Sequence, residues 1–223
     1  MSTAAPRSSA LRSATPPAPS PAPPRGAMRS YTSPLTTDDI LAVVHAHSTL
    51  RRVHYGTIPL DALEALSVPG RPRHVIYNQS PSWAGPGTHW VSVYLDTDLN
   101  GEVMSSLGDR PIQEEVIRFM ARHCSKAVYN TEQLQDDDSN CCGIYALSHG
   151  MARAKGESLT VWLSRFSECR KQNDAFIQCE FMRNLAFPSL FTPRFNWKRT
   201  LAAACTQRVE CEGGNGGERR PVV

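Results

Sequence analysis

Hydrophobic and polar residues alternate along residues 91–95 (sequence VSVYL), and a period of two is typical of a half-buried β-strand. The stretch 73–78 (RHVIYN) predicts a strand before it, and residues 128–130 predict a further short strand later in the chain. Met104 lies in the segment that we expect to pair with 91–95 as the second strand of a hairpin. The sequence therefore predicts a small β-sheet.

In the other segments apolar residues recur every three to four positions, and this spacing gathers them on one face of an α-helix. Pro111 suits the first turn of a helix, because the backbone N–H that proline lacks would have no partner there. Trp162 and Phe166 are expected in the core. Helices that flank a small mixed or antiparallel sheet give an α+β fold. The predicted helices span residues 37–50, 111–123, 143–155, 158–167 and 172–186.

Composition divides the chain into three parts. Residues 1–34 are rich in Pro, Ala, Ser and Arg and contain no acidic residue, so they cannot bury enough apolar surface to fold and are predicted to be a disordered extension. Their many prolines argue against the amphipathic helix of a transit peptide. Residues 35–195 are predicted to form one domain, followed by a flexible, basic and Gly-rich tail at 196–223.

Charge and cysteine content limit the partners, the metal sites and the cellular compartment that we expect for the protein. A net charge of +3 is too small to indicate nucleic-acid binding, and no apolar run is long enough for a membrane span. The seven cysteines contain no C-x-x-C pair, so they predict neither a zinc site nor a disulfide framework. Free thiols indicate a cytosolic or nuclear compartment. We expect no cofactor, no metal and no membrane partner.

Cys142 is the leading candidate for a chemical role. It begins an apolar-periodic segment, and Ser139 and Asn140 before it suit the N-cap of a helix, so we expect Cys142 in the first helical turn. The helix dipole and unpaired backbone N–H groups favour a thiolate there. A buried structural cysteine is the alternative. For the neighbouring Cys141, which points about 100° around the helix, a core position is the preferred interpretation.

His89 is the predicted general base. It precedes the strand 91–95 and follows the turn-forming residues 85–87, so a strand end would hold its imidazole in place. His149 shares the predicted helix of Cys142 and would be about 10 Å away, which is too far for direct proton transfer. The other histidines lie in segments that offer no matching geometry.

Gln135 precedes Cys142 by seven residues, and its side-chain amide can donate to the oxyanion that forms in acyl transfer. The alternative is a loop glutamine in solvent. A His89–Trp90 strand, a second strand ended by Gly108, and Gln-x6-Cys-Gly before a helix together resemble the adenovirus-type cysteine proteases (adenain) and their relatives in DNA viruses and Maverick/Polinton-type transposons. Ubiquitin-like-protein proteases share this core, with the glutamine one residue closer to the cysteine. The resemblance covers about residues 35–190.

Position by position, the resemblance implies that Cys142 is the nucleophile, His89 the base and Gln135 an oxyanion donor, on an α+β core of the adenain and ubiquitin-like-protease type. It implies a monomeric endopeptidase that cleaves structural precursor proteins during capsid maturation. Such an enzyme is packaged in the virion and acts in the host nucleus or cytoplasm. Protein substrates, viral DNA and an activating peptide are the partners it implies. The alternative enzyme is a protease that removes ubiquitin or a ubiquitin-like modifier.

One residue departs from the family pattern. An Asp or Glu is expected three residues before the glycine that ends the second strand, and this chain has Ser105 there. Asp109 lies at the correct end of the hairpin and is the acidic neighbour considered as a replacement. Three interpretations stay open: a Cys–His dyad in which Ser105 or a water holds the imidazole, rescue by Asp109, or an impaired relative that serves as a capsid or DNA-binding component.

Overall fold

The computed structural model describes residues 34–85 and 87–184. Apart from Pro34, the predicted extension at 1–34 lies outside the described residues, as do the tail at 196–223 and the last part of the predicted domain. The elements in chain order are α1 Thr37–Ala46, α2 Ser48–Val53, β1 His54–Pro59, β2 Arg73–Asn78, β3 Trp90–Leu95, β4 Asn100–Met104, α3 Glu114–His123, β5 Lys126–Tyr129, α4 Cys142–Ala154, α5 Leu159–Leu163 and α6 Arg170–Asn184.

The five strands form one sheet in the order β1-β2-β3-β4-β5. The inner pairs β2–β3 and β3–β4 are antiparallel, and the outer pairs β1–β2 and β4–β5 are parallel. The fold is therefore α+β with a mixed sheet, as the sequence predicted. A short hairpin joins β3 to β4, whereas residues 79–89 form the longer connection from β2 to β3. Each parallel pair also needs a longer connection, and α3 supplies the one between β4 and β5.

Both faces of the sheet are covered by apolar clusters. Ile76 and Met104 belong to a cluster with residues of α1, α4 and α6, while Val75 and Val93 pack with residues of α3 on the opposite face. All six residues of β3 are consequently buried. The prediction of a half-buried strand is wrong, because α4 covers the face that the polar positions of residues 91–95 would have given to solvent.

Several boundaries differ from the predictions. The first predicted helix is interrupted at His47, whose backbone is extended, so two helices replace one. Strand β1 was not predicted, because its sequence HYGTIP shows no clear alternation. Helix α3 begins at Glu114 rather than Pro111. The N-cap of α4 is Cys141 and has no side-chain cap bond, so neither Ser139 nor Asn140 takes that role.

A chain of polar side chains runs through the interior between the sheet and α4. Nδ1 of His54 lies 3.3 Å from Nδ1 of His74, whose Nε2 lies 2.9 Å from the Ser92 hydroxyl. The same hydroxyl lies 2.8 Å from Nδ1 of His149, and Nε2 of that ring lies 3.4 Å from a carboxylate oxygen of Glu102. One residue from each of β1, β2, β3, β4 and α4 is thereby joined.

When the imidazoles are uncharged, every donor along this series of polar side chains faces an acceptor, and the donors all point the same way. A carboxylate oxygen of Glu102 lies 2.8 Å from Arg153 and 3.4 Å from Nε2 of His149, so an N–H on that nitrogen faces an acceptor, although neither contact has the alignment of a hydrogen bond. Nδ1 of His149 then accepts from Ser92, and the hydroxyl oxygen accepts from the N–H of His74. A proton added to His74 or His149 would remove the acceptor of the neighbouring donor, the N–H of His54 or the hydroxyl of Ser92. This series of contacts from His54 to Glu102 therefore favours neutral histidines.

The histidine chain predicts a loss of stability in acid. Burial lowers the pKa of His54 to about 4 and lowers the pKa of His74 well below its ordinary value of 6.5. As the pH falls below about 6.5, the unfolded chain binds protons that the folded chain excludes, so the free energy of unfolding falls. We expect His54 alone to account for about 2 kcal/mol between pH 7.5 and pH 5 in urea unfolding. His54→Gln should reduce this dependence, and equal stability of the wild type at both pH values would contradict the expectation.

Gly150 lies where α4 passes close to His74 of β2. A Cβ there would be 2.2 Å from Cε1 of His74. Alanine usually stabilises a helix by about 1 kcal/mol relative to glycine, but this overlap should reverse the sign. We expect Gly150→Ala to lower the free energy of unfolding by about 2 kcal/mol in denaturant titrations. Lys171→Ala on the exposed face of α6 is the control and should change it by less than about 0.5 kcal/mol. A more stable Gly150→Ala protein would contradict the close approach.

Candidate active site

Cys142 is the first residue of α4, as the sequence predicted, and only 6% of its surface is exposed. Burial raises the pKa of its thiol above the ordinary value, although the backbone N–H groups of Trp90 and Gly143 lie close enough to favour the thiolate. The cost of desolvating the charge exceeds the benefit of these N–H groups and of the helix dipole. The resting side chain is therefore a thiol that needs a base.

His89 lies immediately before β3 and is buried. Its Nε2 is 3.1 Å from the hydroxyl of Ser105, and its Nδ1 has no hydrogen-bond partner among the residues that the structure describes. The backbone carbonyl of His89 accepts from the N–H of Gln79 at 2.9 Å, which anchors the residue beside β2. Burial lowers the pKa of His89 to about 4. At neutral pH the ring is uncharged, which is the form that can accept a proton.

Cys142 and His89 line the same cleft, which has a volume of about 430 Å³. Trp90 contributes to the cleft beside them, and residues 34–38 form another part of its lining. The indole N–H of Trp90 donates to the carbonyl of Leu35 at 2.7 Å. Gly143 makes this close packing possible, since a Cβ there would lie 3.1 Å from Leu35 and 3.3 Å from the Trp90 ring. An apolar cavity of about 300 Å³ between α3 and β5 contains neither candidate residue.

Ser105 contacts His89 and occupies the position at which the resemblance predicts an acidic residue. Its hydroxyl also accepts from the N–H of Leu107 at 3.3 Å. The backbone of Ser105 is fixed on both sides by Asn130, whose Oδ1 accepts from the Ser105 N–H at 2.9 Å and whose Nδ2 donates to its carbonyl at 2.7 Å. Asp109 is exposed, and no hydrogen bond joins it to His89 within the described part of the chain.

Gln135 is buried, with 4% of its surface exposed, rather than a loop residue in solvent. Its Oε1 accepts from the hydroxyl of Ser106 at 2.7 Å, and its Nε2 donates to the carbonyl of Ser139 at 2.7 Å. Gln135 is not part of the lining of the cleft that holds Cys142 and His89. A primary amide carries two N–H donors, so one remains after the bond to Ser139.

The loop between β5 and α4 is braced by Asn173 and Asp174, two residues to which the sequence assigned no role. Asn173 donates to the carbonyl of Leu134 at 3.1 Å, and Asp174 accepts from the N–H of Asp136 at 3.1 Å and from the hydroxyl of Tyr145 at 3.0 Å. Burial raises the pKa of the Asp174 carboxyl above its usual value. The adjacent polar pair in an otherwise amphipathic helix was visible in the sequence, but its partners are distant along the chain.

The other described cysteines include free thiols and disulfide-bonded residues. Cys141 is buried, and its sulfur accepts from the side-chain amide of Gln178 at 3.0 Å, in agreement with a core position. Burial raises the pKa of Cys141 to about 11. Cys124 is a free thiol, whereas Cys169 and Cys179 are disulfide-bonded. The prediction of free thiols throughout is therefore wrong for these two, because sequence spacing does not show which sulfurs approach one another in space.

Residues 34–85 and 87–184 contain no cluster of three or more His, Cys, Asp or Glu side chains that could hold a metal ion. None of the helices described is long and apolar enough to cross a membrane.

No family model matches this chain, and no curated protein is significantly similar to it. The geometry around Cys142 is therefore the observation that bears on function.

The protonation states of Cys142 and His89 predict the pH dependence of alkylation. Because the thiol pKa is raised and the imidazole pKa is lowered to about 4, the pair is neutral at pH 7. Below the thiol pKa the thiolate fraction grows with pH, so we expect the rate of Cys142 alkylation by iodoacetamide to rise about tenfold per unit between pH 6 and pH 8.

Mass spectrometry of the modified peptides would assign this rate to Cys142. Cys141→Ala should leave it unchanged, and Cys142→Ala should abolish it. A rate that is constant from pH 5 to pH 8 would instead indicate a preformed thiolate–imidazolium pair.

Proposed function

We propose that the protein is a cysteine endopeptidase of the adenain type, in which Cys142 attacks the peptide carbonyl and His89 is the base. The observation that carries the proposal is the cleft shared by a helix-terminal thiol and a neutral imidazole whose Nε2 contacts the Ser105 hydroxyl. A structural cysteine would need neither the cleft nor the histidine. A nucleophile, a base and a group that orients the base are the three parts that acyl transfer requires.

The proposed reaction begins when Nδ1 of His89 accepts the proton of the Cys142 thiol. The sulfur then attacks the carbonyl carbon, and the negative charge moves to the carbonyl oxygen, where the Cys142 backbone N–H and the second N–H of Gln135 would stabilise it. The imidazolium gives its proton to the leaving amine as the C–N bond breaks. Water, activated by the same imidazole, hydrolyses the thioester and restores the thiol.

Ser105 makes the proposed base inefficient. A carboxylate at this position can only accept, so it would hold the proton on Nε2 and leave Nδ1 as the acceptor. A hydroxyl can also donate, and Nε2 of His89 is the acceptor that the described residues offer to the Ser105 hydrogen. That arrangement moves the ring proton to Nδ1, which is the wrong tautomer for a base. Part of the protein population therefore carries the inactive tautomer of His89 before substrate binds.

Structural precursors of a virus or transposon are the proposed substrates, with action in the host nucleus or cytoplasm and in the virion. Viral DNA or an activating peptide would be partners by the same resemblance. An impaired relative that serves as a capsid or DNA-binding component is the second candidate, and the hydroxyl of Ser105 at the acid position is the observation that favours it. Removal of a ubiquitin-like modifier is a further proposal for the same site.

Turnover of a fluorogenic peptide containing small residues tests the endopeptidase, with Cys142→Ala as the inactive control. We expect Ser105→Asp to raise kcat by at least about tenfold, because the carboxylate fixes the tautomer and stabilises the imidazolium. Ser105→Asn has a similar shape without the charge and should give no such gain. A wild type that neither cleaves peptides nor labels at Cys142 with a thiol-reactive peptide probe would refute the protease proposal.

Labelling by a ubiquitin-derived probe that exceeds labelling by short peptide probes would favour the modifier protease instead.

A further inference from the structure

We propose that Ser106 is a positioning residue that aims the side-chain amide of Gln135 at the reaction centre. The proposal rests on the proposed endopeptidase activity and adds a residue that acts through Gln135 rather than on the substrate. Ser106 is the second residue after β4 and is fully buried. Its hydroxyl lies 2.7 Å from Oε1 of Gln135, a distance typical of a strong O–H···O hydrogen bond.

The orientation of the Gln135 amide follows from its partners. The carbonyl of Ser139 can only accept, so the amide atom 2.7 Å from it must be the nitrogen. The oxygen of the amide then faces Ser106, and the Ser106 hydroxyl must donate to it. Both ends of the side chain are thereby fixed, and the direction of the remaining N–H is set by these two bonds.

Ser106 also fixes the backbone that carries Gln135. Its carbonyl accepts from the N–H of Leu134 at 2.8 Å and from the N–H of Gln135 at 3.0 Å. One residue thus holds the main chain and the side chain of the proposed oxyanion donor. Because Ser106 is buried and its own position is set by the end of β4, this restraint belongs to the sheet rather than to a mobile loop.

Two consecutive serines serve different parts of the site. The hydroxyl of Ser105 contacts His89, whereas the hydroxyl of Ser106 contacts Gln135. Asn130 pairs with the N–H and the carbonyl of Ser105 beyond the last backbone pairing of β4 with β5, which ends at Val103. Asn130 therefore holds Ser105 in place, and a change at Ser106 can remove the restraint on Gln135 without removing a contact of the base.

Ser106→Ala is the variant that separates these roles. Loss of the hydroxyl leaves Oε1 of Gln135 without its donor, so the amide can rotate and its second N–H loses direction. Complete loss of an oxyanion donor lowers kcat by about 10²–10³. We expect about a tenfold reduction in kcat for Ser106→Ala on the fluorogenic peptide, and a larger one for Gln135→Ala. Alkylation of Cys142 by iodoacetamide, which forms no oxyanion, should keep its rate and pH profile in both variants.

The double variant Ser106→Ala/Gln135→Ala distinguishes positioning from a structural role. If Ser106 acts through Gln135, removing its hydroxyl should have no further effect on kcat once Gln135 is alanine. The same fold loss in both backgrounds, or an altered alkylation profile, would overturn the proposal. An unchanged kcat for Gln135→Ala would also overturn it while leaving the endopeptidase in place. A wild type without turnover would refute the proposed function itself.

Discussion

Helix α4 packs on strands β2 and β3 with two glycines, Gly143 and Gly150, that lie seven residues apart and so on one face of the helix. A Cβ on the first would press on Leu35 and Trp90, and a Cβ on the second would overlap the ring of His74. The absence of both side chains lets the helix approach the sheet closely. The rest of the site depends on this contact, because α4 begins with Cys142 and β3 follows His89.

Burial at this contact has opposite effects on the two halves of the proposed reaction. It brings a thiol and an imidazole into one cleft, and it also removes the water that would stabilise their charged forms. The pKa of Cys142 therefore rises while the pKa of His89 falls to about 4, which leaves a neutral pair. A carboxylate beside His89 would oppose this effect. With Ser105 there, the charge that develops on the ring is held by a hydroxyl alone.

The polar interior is organised in two networks with different tasks. The chain from His54 to Glu102 ties four strands to α4 and holds its histidines neutral, so it concerns the stability of the helix contact. The second network joins Ser105, Ser106 and Asn130 to the loop before α4 and concerns the direction of individual side chains. Both are buried, so an unpaired group in either would cost about 1–3 kcal/mol.

The sequence by itself determined the α+β class, most of the strands and helices, and the place of Cys142 in a first helical turn. These features depend on the period of apolar residues and on order along the chain, which are local properties. The sequence also singled out His89 and Ser105, although only the packed fold shows that Nε2 of one contacts the hydroxyl of the other.

The tertiary structure decided the features that depend on distant partners. Strand β3 is buried on both faces because α4 covers the face with its polar positions, and Cys141 rather than Ser139 or Asn140 is the N-cap of the helix. Burial sets the protonation of Cys142 and His89, and no sequence pattern reports the solvent that a fold excludes. Ser106 and Asn130 gain their contacts only where β4, β5 and the loop before α4 meet. Hydrogen bonding between segments 25 to 29 residues apart is fixed by topology, which is why these residues could not be found from the chain alone.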